Sequence, residues 1–214
     1  MIKGFLFDLD GVIVDTAKYH FLAWKRLANE INIPFTESDN ERLKGVSRMA
    51  SLNIILSLSN CQILEDEKVR LATKKNNWYV DYITKMGPTE ILPGALEFIQ
   101  SAKKKKIKIA LGSASKNAMT ILNRLNILHY FDAIISGNEV ENAKPNPEVF
   151  LKGAQALGLR PKECMVFEDA VAGVQAAKNG HMKCIGIGPK EILGDADLVA
   201  DGLHMLSVEE ALNV

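Results

Sequence analysis

The sequence has 214 residues, of which 47% are hydrophobic and 24% charged, and its 26 basic and 26 acidic residues give a formal net charge of zero. This length can bury a sizeable core, with room for one large domain or for a domain that carries a smaller insert. The balanced charge gives no general electrostatic reason to bind nucleic acid or an acidic membrane, and we identify no apolar stretch of membrane-spanning length, so neither is predicted as a partner.

Strand-length apolar runs recur along the chain, beginning with residues 4–7. The later runs are residues 107–111, 133–135, 164–167 and 183–187. Helical patterns alternate with them, at residues 94–104, 117–125, 147–157 and 171–179. This alternation predicts an α/β fold, a Rossmann-like parallel sheet with helices on both faces.

The stretch from about residue 15 to residue 86 interrupts this rhythm, because it contains no convincing strand. Apolar residues three or four apart predict a helix over 17–31, and further helices are predicted over 49–58 and 65–83. A βαβ crossover needs only about a dozen residues. We therefore predict an inserted α-helical domain over residues 15–87, and a core domain made of residues 1–14 and 88–214.

Two acidic residues follow the first predicted strand, and a glycine that suits a tight turn comes next. Asp8 and Asp10 are two residues apart, so in extended chain their side chains point the same way. Two close carboxylates repel each other, and a bound cation would relieve the repulsion. Ligands of open parallel sheets bind outside the carboxyl ends of the strands, which places this pair where a site is expected.

The later strands also end in polar residues. Ser113 and Ser115 follow the second strand just before a predicted helix, an anion-binding arrangement. Lys144 stands before a proline after the third strand, and Glu168 and Asp169 end the fourth. Oxygen ligands suit Mg²⁺, and Mg²⁺ together with lysine suits a phosphoryl group during transfer.

Each motif also has an ordinary structural interpretation. The acidic pair and its glycine could form a polar turn, the serines could cap a helix, and Lys144 could be a surface lysine. Glu168 and Asp169 could be charges at the start of a helix. The occurrence of all four motifs after successive strands favours a site.

These four motifs, in this order, resemble the signature of the haloacid dehalogenase superfamily, and the resemblance extends over the whole chain. The opening FDLDGVIVDT, the run KGVSR at residues 44–48 and the run SASKN at residues 113–117 are similar to the phosphomutase branch of that superfamily. The resemblance implies that the inserted helices form a cap domain.

The resemblance also implies roles for individual residues. Asp8 would attack the phosphoryl group, Asp10 would act as general acid and base, and Lys144 would stabilise the transferring oxygens, with Thr16 and His20 supporting the acid–base chemistry. The implied Mg²⁺ ligands are Asp8, Asp10, Glu168 and Asp169. The implied substrate-binding residues are Gly45, Val46, Ser47, Arg48, Lys75, Asn76, Ser113, Ala114, Ser115, Lys116 and Asn117.

The implied activity is interconversion of β-D-glucose 1-phosphate and glucose 6-phosphate, through an aspartyl-phosphate and a glucose 1,6-bisphosphate. A small-molecule phosphatase of the same superfamily is the nearest alternative, and a catalytically silent sugar-phosphate binding protein is a second. A dehalogenase is disfavoured, because cleavage of a carbon–halogen bond requires neither an acid at Asp10 nor magnesium. A cap that faces its own core fits a monomer.

The cysteines indicate the compartment. The three cysteines, at positions 61, 164 and 184, are far apart and form no CxxC or Cys/His cluster, so no zinc site is predicted. Cys164 and Cys184 lie in apolar runs and are expected to be buried. Free thiols fit a reducing compartment, and the acidic pair interrupts any secretory signal at the start, so we expect a cytoplasmic protein.

Overall fold

The computed structural model describes residues 1–43, 46–59 and 63–214, and these residues contain six strands and ten α-helices. The strands are β1 (Gly4–Phe7), β2 (Lys108–Gly112), β3 (Ala133–Ile135), β4 (Cys164–Glu168), β5 (Lys183–Ile187) and β6 (Leu198–Ala200). The helices are α1 (Ala17–Glu30), α2 (Glu37–Glu41), α3 (Arg48–Ser57), α4 (Glu65–Ile83), α5 (Ala95–Lys104), α6 (Ala118–Arg124), α7 (Glu148–Ala156), α8 (Val171–Asn179), α9 (Lys190–Leu193) and α10 (Val208–Asn213).

The strands form one sheet in the order β3-β2-β1-β4-β5-β6, and every neighbouring pair is parallel. The predicted α/β fold class is therefore confirmed. The first strand of the chain lies inside the sheet, with β2 on one side and β4 on the other. This order brings the ends of three strands that are far apart in sequence to one edge of the sheet.

Strand β1 is buried on both faces, as its continuous apolar sequence predicts. Phe5 and Phe7 point to one face, where they join Phe98 of α5 and Phe167 of β4. The rings of Phe7 and Phe167 are stacked with centroids 4.6 Å apart. Leu6 points to the opposite face, into an aliphatic core under α7 and α8. This double burial holds the end of β1 in a rigid frame.

The chain divides into two compact units, one of Met1–Asp15 with Met86–Val214 and one of Thr16–Lys85. The first contains the sheet and α5 to α10, and the second contains α1 to α4. The helical unit has its own core, built around Trp24, Leu27 and Leu52. None of the helices in the described part of the chain combines the length and apolarity needed to cross a membrane.

Four short elements were not predicted, namely α2, α9, α10 and β6. Helix α2 is a single polar turn, so it has no apolar periodicity, and it is stabilised by a capping box in which Thr36 Oγ1 accepts the Asp39 N–H at 3.3 Å. Strand β6 has three residues and pairs only with β5 at the edge of the sheet. Helices α4 and α8 have the predicted bounds, and α4 begins with three acidic residues, a composition that favours a helix start.

Candidate active site

Four of the predicted site residues follow strands that are neighbours in the sheet. Asp8 comes directly after β1 and Ser113 directly after β2, while Glu168 ends β4 and Asp169 follows it. Since β1 lies between β2 and β4, these residues lie together at the edge of the sheet formed by the carboxyl ends of the strands. The backbone N–H of Asp8 donates to the carbonyl oxygen of Phe167 at 2.9 Å, which ties the end of β1 to β4.

Lys144 joins two of these carboxylates, although it lies in the loop after β3. Its Nζ donates to Asp8 Oδ1 at 2.5 Å and also to Glu168 Oε1, and only 5% of its side chain is exposed. Burial by itself lowers the pKa of Lys144, but the charges of Asp8 and Glu168 outweigh burial and raise the pKa above its ordinary value. Lys144 is therefore a permanent cation beside the predicted nucleophile.

The remaining carboxyl groups are crowded. Burial, followed by the charges of Asp8, Glu168 and Asp10, raises the pKa of Asp169 to about 8. Burial and the charge of Asp8 also raise the pKa of Glu168, against the opposing effect of Lys144. Ionising all of these neighbouring carboxyl groups at once is costly, and a divalent cation would remove that cost.

The donor set at this edge fits Mg²⁺. In the described ranges, no three His, Cys, Asp or Glu side chains form a ready-made metal cage. Mg²⁺ commonly takes only one or two protein carboxylates and completes its shell with water and phosphate oxygens. Asp8, Asp169 and the backbone carbonyl of Asp10 are oxygen donors of this kind. The raised pKa of Asp169 shows that its ionised form is unfavourable here, and a bound cation would stabilise that form.

Two glycines leave room for the carboxylates. Gly11 has a φ of +75°, a left-handed conformation that favours glycine, and a Cβ there would overlap the Asp169 carboxylate. Gly173 lies in α8, where a Cβ would overlap the carboxylate of Glu168. Gly173 was not predicted as a site residue. The signal that could have pointed to it is glycine inside a helical pattern, which is unfavourable without a packing reason.

The predicted anion-binding loop, residues 113–117, is held partly by its own hydroxyl groups. Ser113 Oγ accepts the Ser115 N–H at 3.1 Å, and Ser115 Oγ accepts the Asn117 N–H at 3.3 Å. Both serines therefore stabilise local turns rather than cap α6, whose N-cap is Asn117 without a side-chain cap hydrogen bond. A serine hydroxyl that accepts such a bond still has its own hydrogen to donate, so this role is compatible with anion binding.

The same loop is also supported from the segment after β3. The N–H of Gly137 donates to the carbonyl oxygen of Ser115 at 3.2 Å, and Asn138 Nδ2 donates to the carbonyl oxygen of Lys116 at 3.0 Å. Ala114 and Lys116 are exposed, whereas the start of the loop is buried. The loop therefore presents its middle residues outward on a fixed base.

The loop that carries Lys144 is anchored by Glu148, the first residue of α7. The Glu148 carboxylate accepts the N–H groups of Asn142 at 2.8 Å and Glu141 at 3.1 Å, and the Lys152 ammonium at 2.6 Å. These hydrogen bonds, that of Lys152 first, lower the pKa of Glu148 to about 2, so the anchor stays ionised. Sequence reasoning missed Glu148, because a glutamate in the first turn of a helix is common.

In the helical unit, three predicted residues lie together. Lys75 is only 2% exposed, and its Nζ lies 2.8 Å from His20 Nδ1. Tyr79, one turn beyond Lys75, donates to Thr16 Oγ1 at 3.2 Å and packs against the His20 ring with centroids 4.1 Å apart. Burial, and then the positive charges of Lys75 and Arg48, hold the pKa of His20 well below its ordinary value. The imidazole is therefore neutral at pH 7.

The other predicted residues of the helical unit lie around the start of α3 and in α4. Ser47 is the N-cap of α3 and accepts a backbone N–H of the first turn at 3.3 Å, and Arg48 is the first helical residue. Arg48 is half-buried, and burial lowers its pKa. Val46 and Asn76 are half-buried, and Gly45 lies outside the described residues. The predicted site residues thus form two sets, one in each unit.

A profile of haloacid dehalogenase-like hydrolases matches residues 2–181. This match covers most of the chain, including the helical unit, the strand ends that carry Asp8, Ser113 and Asp169, and the loop that carries Lys144. The chain belongs to the haloacid dehalogenase-like hydrolase family.

Two mutases and a phosphatase are among the similar proteins. The chain is 42% identical to the β-phosphoglucomutase of Bacillus subtilis strain 168, over 97% of this chain and 93% of that protein. It is 44% identical to a β-phosphoglucomutase from Clostridium difficile of known crystal structure, with a TM-score of 0.95 over 100% of this chain and 96% of that one. It is 33% identical to a phosphorylated carbohydrates phosphatase from Thermotoga maritima, over 100% of this chain and 98% of that protein.

Proposed function

We propose that this protein is a β-phosphoglucomutase, an isomerase that interconverts β-D-glucose 1-phosphate and glucose 6-phosphate. The observation that carries the proposal is the Asp8 carboxylate, which is held by the buried Lys144 ammonium in a chain 42% and 44% identical to two β-phosphoglucomutases. Both similarities cover at least 97% of the chain, so they include the helical unit as well as the sheet.

The chemistry proceeds through Asp8. An Asp8 carboxylate oxygen attacks the phosphorus atom of the sugar bisphosphate, the bond from phosphorus to the sugar oxygen breaks, and Asp10 gives its proton to that oxygen. In the reverse direction, Asp10 takes the proton of a sugar hydroxyl, which attacks the aspartyl-phosphate and restores free Asp8. Because the intermediate carries two phosphates, either can return to Asp8, and this exchange moves the phosphate between the two ends of the sugar.

The core residues stabilise the phosphoryl group during transfer. Lys144, the Ser113 hydroxyl and the Ala114 N–H bind its oxygens. Asp8, the backbone carbonyl of Asp10 and Asp169 would hold Mg²⁺, with Glu168 nearby. When bound, Mg²⁺ neutralises charge on the transferring oxygens.

The second phosphate and the sugar require further residues. Arg48 binds the second phosphate, since a guanidinium grips phosphate through two hydrogen bonds. The remaining substrate contacts are assigned to Gly45, Val46, Ser47, Lys75, Asn76, Ser115, Lys116 and Asn117. Residues 1–14 and 88–214 are the catalytic domain and residues 15–87 the cap domain, in which Thr16 and His20 support Asp10.

The substitution Gly173→Ala tests the close fit at the carboxylates. Alanine is the better helix former by up to ~1 kcal/mol, so the variant should unfold no more readily on that ground alone. Its methyl group displaces Glu168 and thereby Lys144, and we expect kcat to fall at least about tenfold. Steady-state kinetics measure this loss, with Gly194→Ala as control, because Gly194 is exposed at the end of α9 with a helical φ of −58°. Wild-type kinetics for Gly173→Ala would contradict the idea that the Glu168 carboxylate needs a glycine at this position.

One assay tests the proposed function. Purified protein receives β-D-glucose 1-phosphate, Mg²⁺ and a trace of glucose 1,6-bisphosphate, and glucose 6-phosphate and inorganic phosphate are followed together. We expect glucose 6-phosphate to form much faster than phosphate is released. Faster release of phosphate would support the alternative, a sugar-phosphate phosphatase. The similarity to the Thermotoga maritima phosphatase is the observation that favours this alternative.

The setting of the reaction follows from the same proposal. The partner is a small sugar phosphate, and we expect neither nucleic acid nor a membrane to take part. The buried free thiols of Cys164 and Cys184 fit the cytoplasm. A chain in which one copy supplies every assigned residue fits a monomer.

A further inference from the structure

The ammonium group of Lys75 lies against two aromatic faces in the helical unit. Its Nζ is 4.5 Å from the ring centroid of Trp24 and 4.9 Å from that of Tyr79. Both aromatic residues are at most 2% exposed, as is Lys75. His20 lies beside the same ammonium group, with its Nδ1 2.8 Å from Lys75 Nζ.

The spacing in the two helices explains this arrangement. His20 and Trp24 are four residues apart on α1, and Lys75 and Tyr79 are four residues apart on α4, so each pair lies on one side of its helix. The two helices pack against each other, and the two pairs meet in their interface. A buried ammonium loses its water, and the negative faces of two aromatic rings replace part of that solvation.

The hydrogen bond to Lys75 determines where the imidazole of His20 carries its proton. An ammonium has three donors and no acceptor, so Nδ1 must accept the bond. A neutral His20 then carries its hydrogen on Nε2. The lysine stem is flexible, and an ammonium free to leave would release Nδ1 and allow both tautomers.

We propose that Trp24 and Tyr79 form an aromatic clamp that seats the Lys75 ammonium against His20 Nδ1, and that Trp24 is thereby a positioning residue for the acid–base step. Only the link to the acid–base step rests on the proposed function. In this role Trp24 acts through Lys75 on His20. Within residues 1–43, 46–59 and 63–214, the charged groups that act on the imidazole are Lys75 of α4 and Arg48 of α3, and the titratable Tyr79 of α4 packs against its ring.

Two substitutions of Trp24 test the clamp. Trp24→Phe keeps an aromatic face and Trp24→Leu removes it. Trp78→Leu is the matched control, because Trp78 is the second of the two tryptophans and lies 4.0 Å from the Arg26 guanidinium and 5.2 Å from Lys74 Nζ. The readout is a long-range ¹H–¹⁵N correlation spectrum of the imidazole groups in the full-length protein without substrate. His20→Asn identifies the His20 signals among the four histidines.

We expect the Nε2–H tautomer in the wild type, Trp24→Phe and Trp78→Leu, and a mixture with a substantial Nδ1–H fraction in Trp24→Leu. In the mutase assay, Trp24→Leu should lower kcat about tenfold with KM unchanged. A pure Nε2–H tautomer in folded Trp24→Leu overturns the proposal. This spectrum requires no substrate, so it tests the clamp independently of the proposed function. The spectrum can refute the clamp while the assay supports a mutase, and the assay can refute the mutase while the spectrum supports the clamp.

A second measurement covers the case in which Trp24→Leu does not fold. Fluorinated tryptophans, incorporated in a Trp78→Phe background, keep the shape of Trp24 and weaken the negative charge on its face. The Nδ1–H fraction of His20 should rise with the number of fluorine atoms. A tautomer ratio that does not depend on fluorination overturns the proposal.

Discussion

Asp8→Asn is expected to remove nearly all turnover, with a loss in kcat of about 10⁴-fold or more. An amide oxygen is a poor nucleophile, and the variant therefore cannot form the aspartyl-phosphate. The fold should persist, because asparagine has the same shape and Lys144 keeps its ion pair with Glu168.

Mass spectrometry distinguishes this cause from a general loss of function. Wild-type protein quenched after exposure to glucose 1,6-bisphosphate should carry one phosphoryl group, and peptide mapping should place it on Asp8. Asp8→Asn should carry none. The control is Asp195→Asn, an exposed aspartate of the same unit, which should behave as the wild type. An adduct on another side chain, or an active Asp8→Asn variant, would refute the mechanism.

Lys144→Met is expected to cost both activity and stability. The substitution removes a buried ammonium and leaves Asp8 and Glu168 together without the cation that bridges them. Removing one partner of a buried ion pair typically costs about 3–5 kcal/mol, so we expect a loss in the free energy of unfolding of about 3 kcal/mol at pH 8. Turnover should also fall sharply, since the transferring oxygens lose their positive charge.

The loss of stability should depend on pH in a defined direction. The folded-state pKa of Asp169 is raised from 3.8 to about 8, so the folded protein binds more protons than the unfolded chain between these values. The contribution of Asp169 to the free energy of unfolding of the metal-free protein therefore falls as pH rises from about 4 to 8. Lys144→Met removes a positive charge and so raises the pKa of Asp169 and Glu168 further. The free energy of unfolding of this variant should therefore fall furthest below that of the wild type at pH 8, and less far at pH 5.

Denaturant unfolding of both proteins in EDTA at pH 5 and pH 8 measures this difference. Lys105→Met serves as control, because it breaks an ion pair with Glu209 in which both side chains are more than a third exposed. Exposed pairs contribute at most about 1 kcal/mol, so this variant should stay close to wild type at both pH values. An equal deficit for Lys144→Met at the two pH values would argue against a carboxylate origin.

Much of the architecture was predictable from local patterns. Apolar runs of strand length alternating with helical periodicity predicted the parallel sheet, because both signals depend only on neighbouring residues. The spacing of Asp8 and Asp10 predicted two acids on one face at the end of β1. The polar helix α2 and the edge strand β6 were missed because a single turn and a three-residue strand carry too little pattern.

What the sequence by itself determined is the order of the chemistry: an acid pair, then hydroxyls, then a lysine, then a second acid pair, each after a strand. Only the tertiary structure decided that β4 lies beside β1, that Lys144 is buried between Asp8 and Glu168, and that Gly173 makes room for Glu168. The contacts of Lys75 with Trp24 and His20 likewise depend on the tertiary structure. Such contacts join residues tens of positions apart, and their distances, burial and pKa values arise from packing that no local pattern encodes.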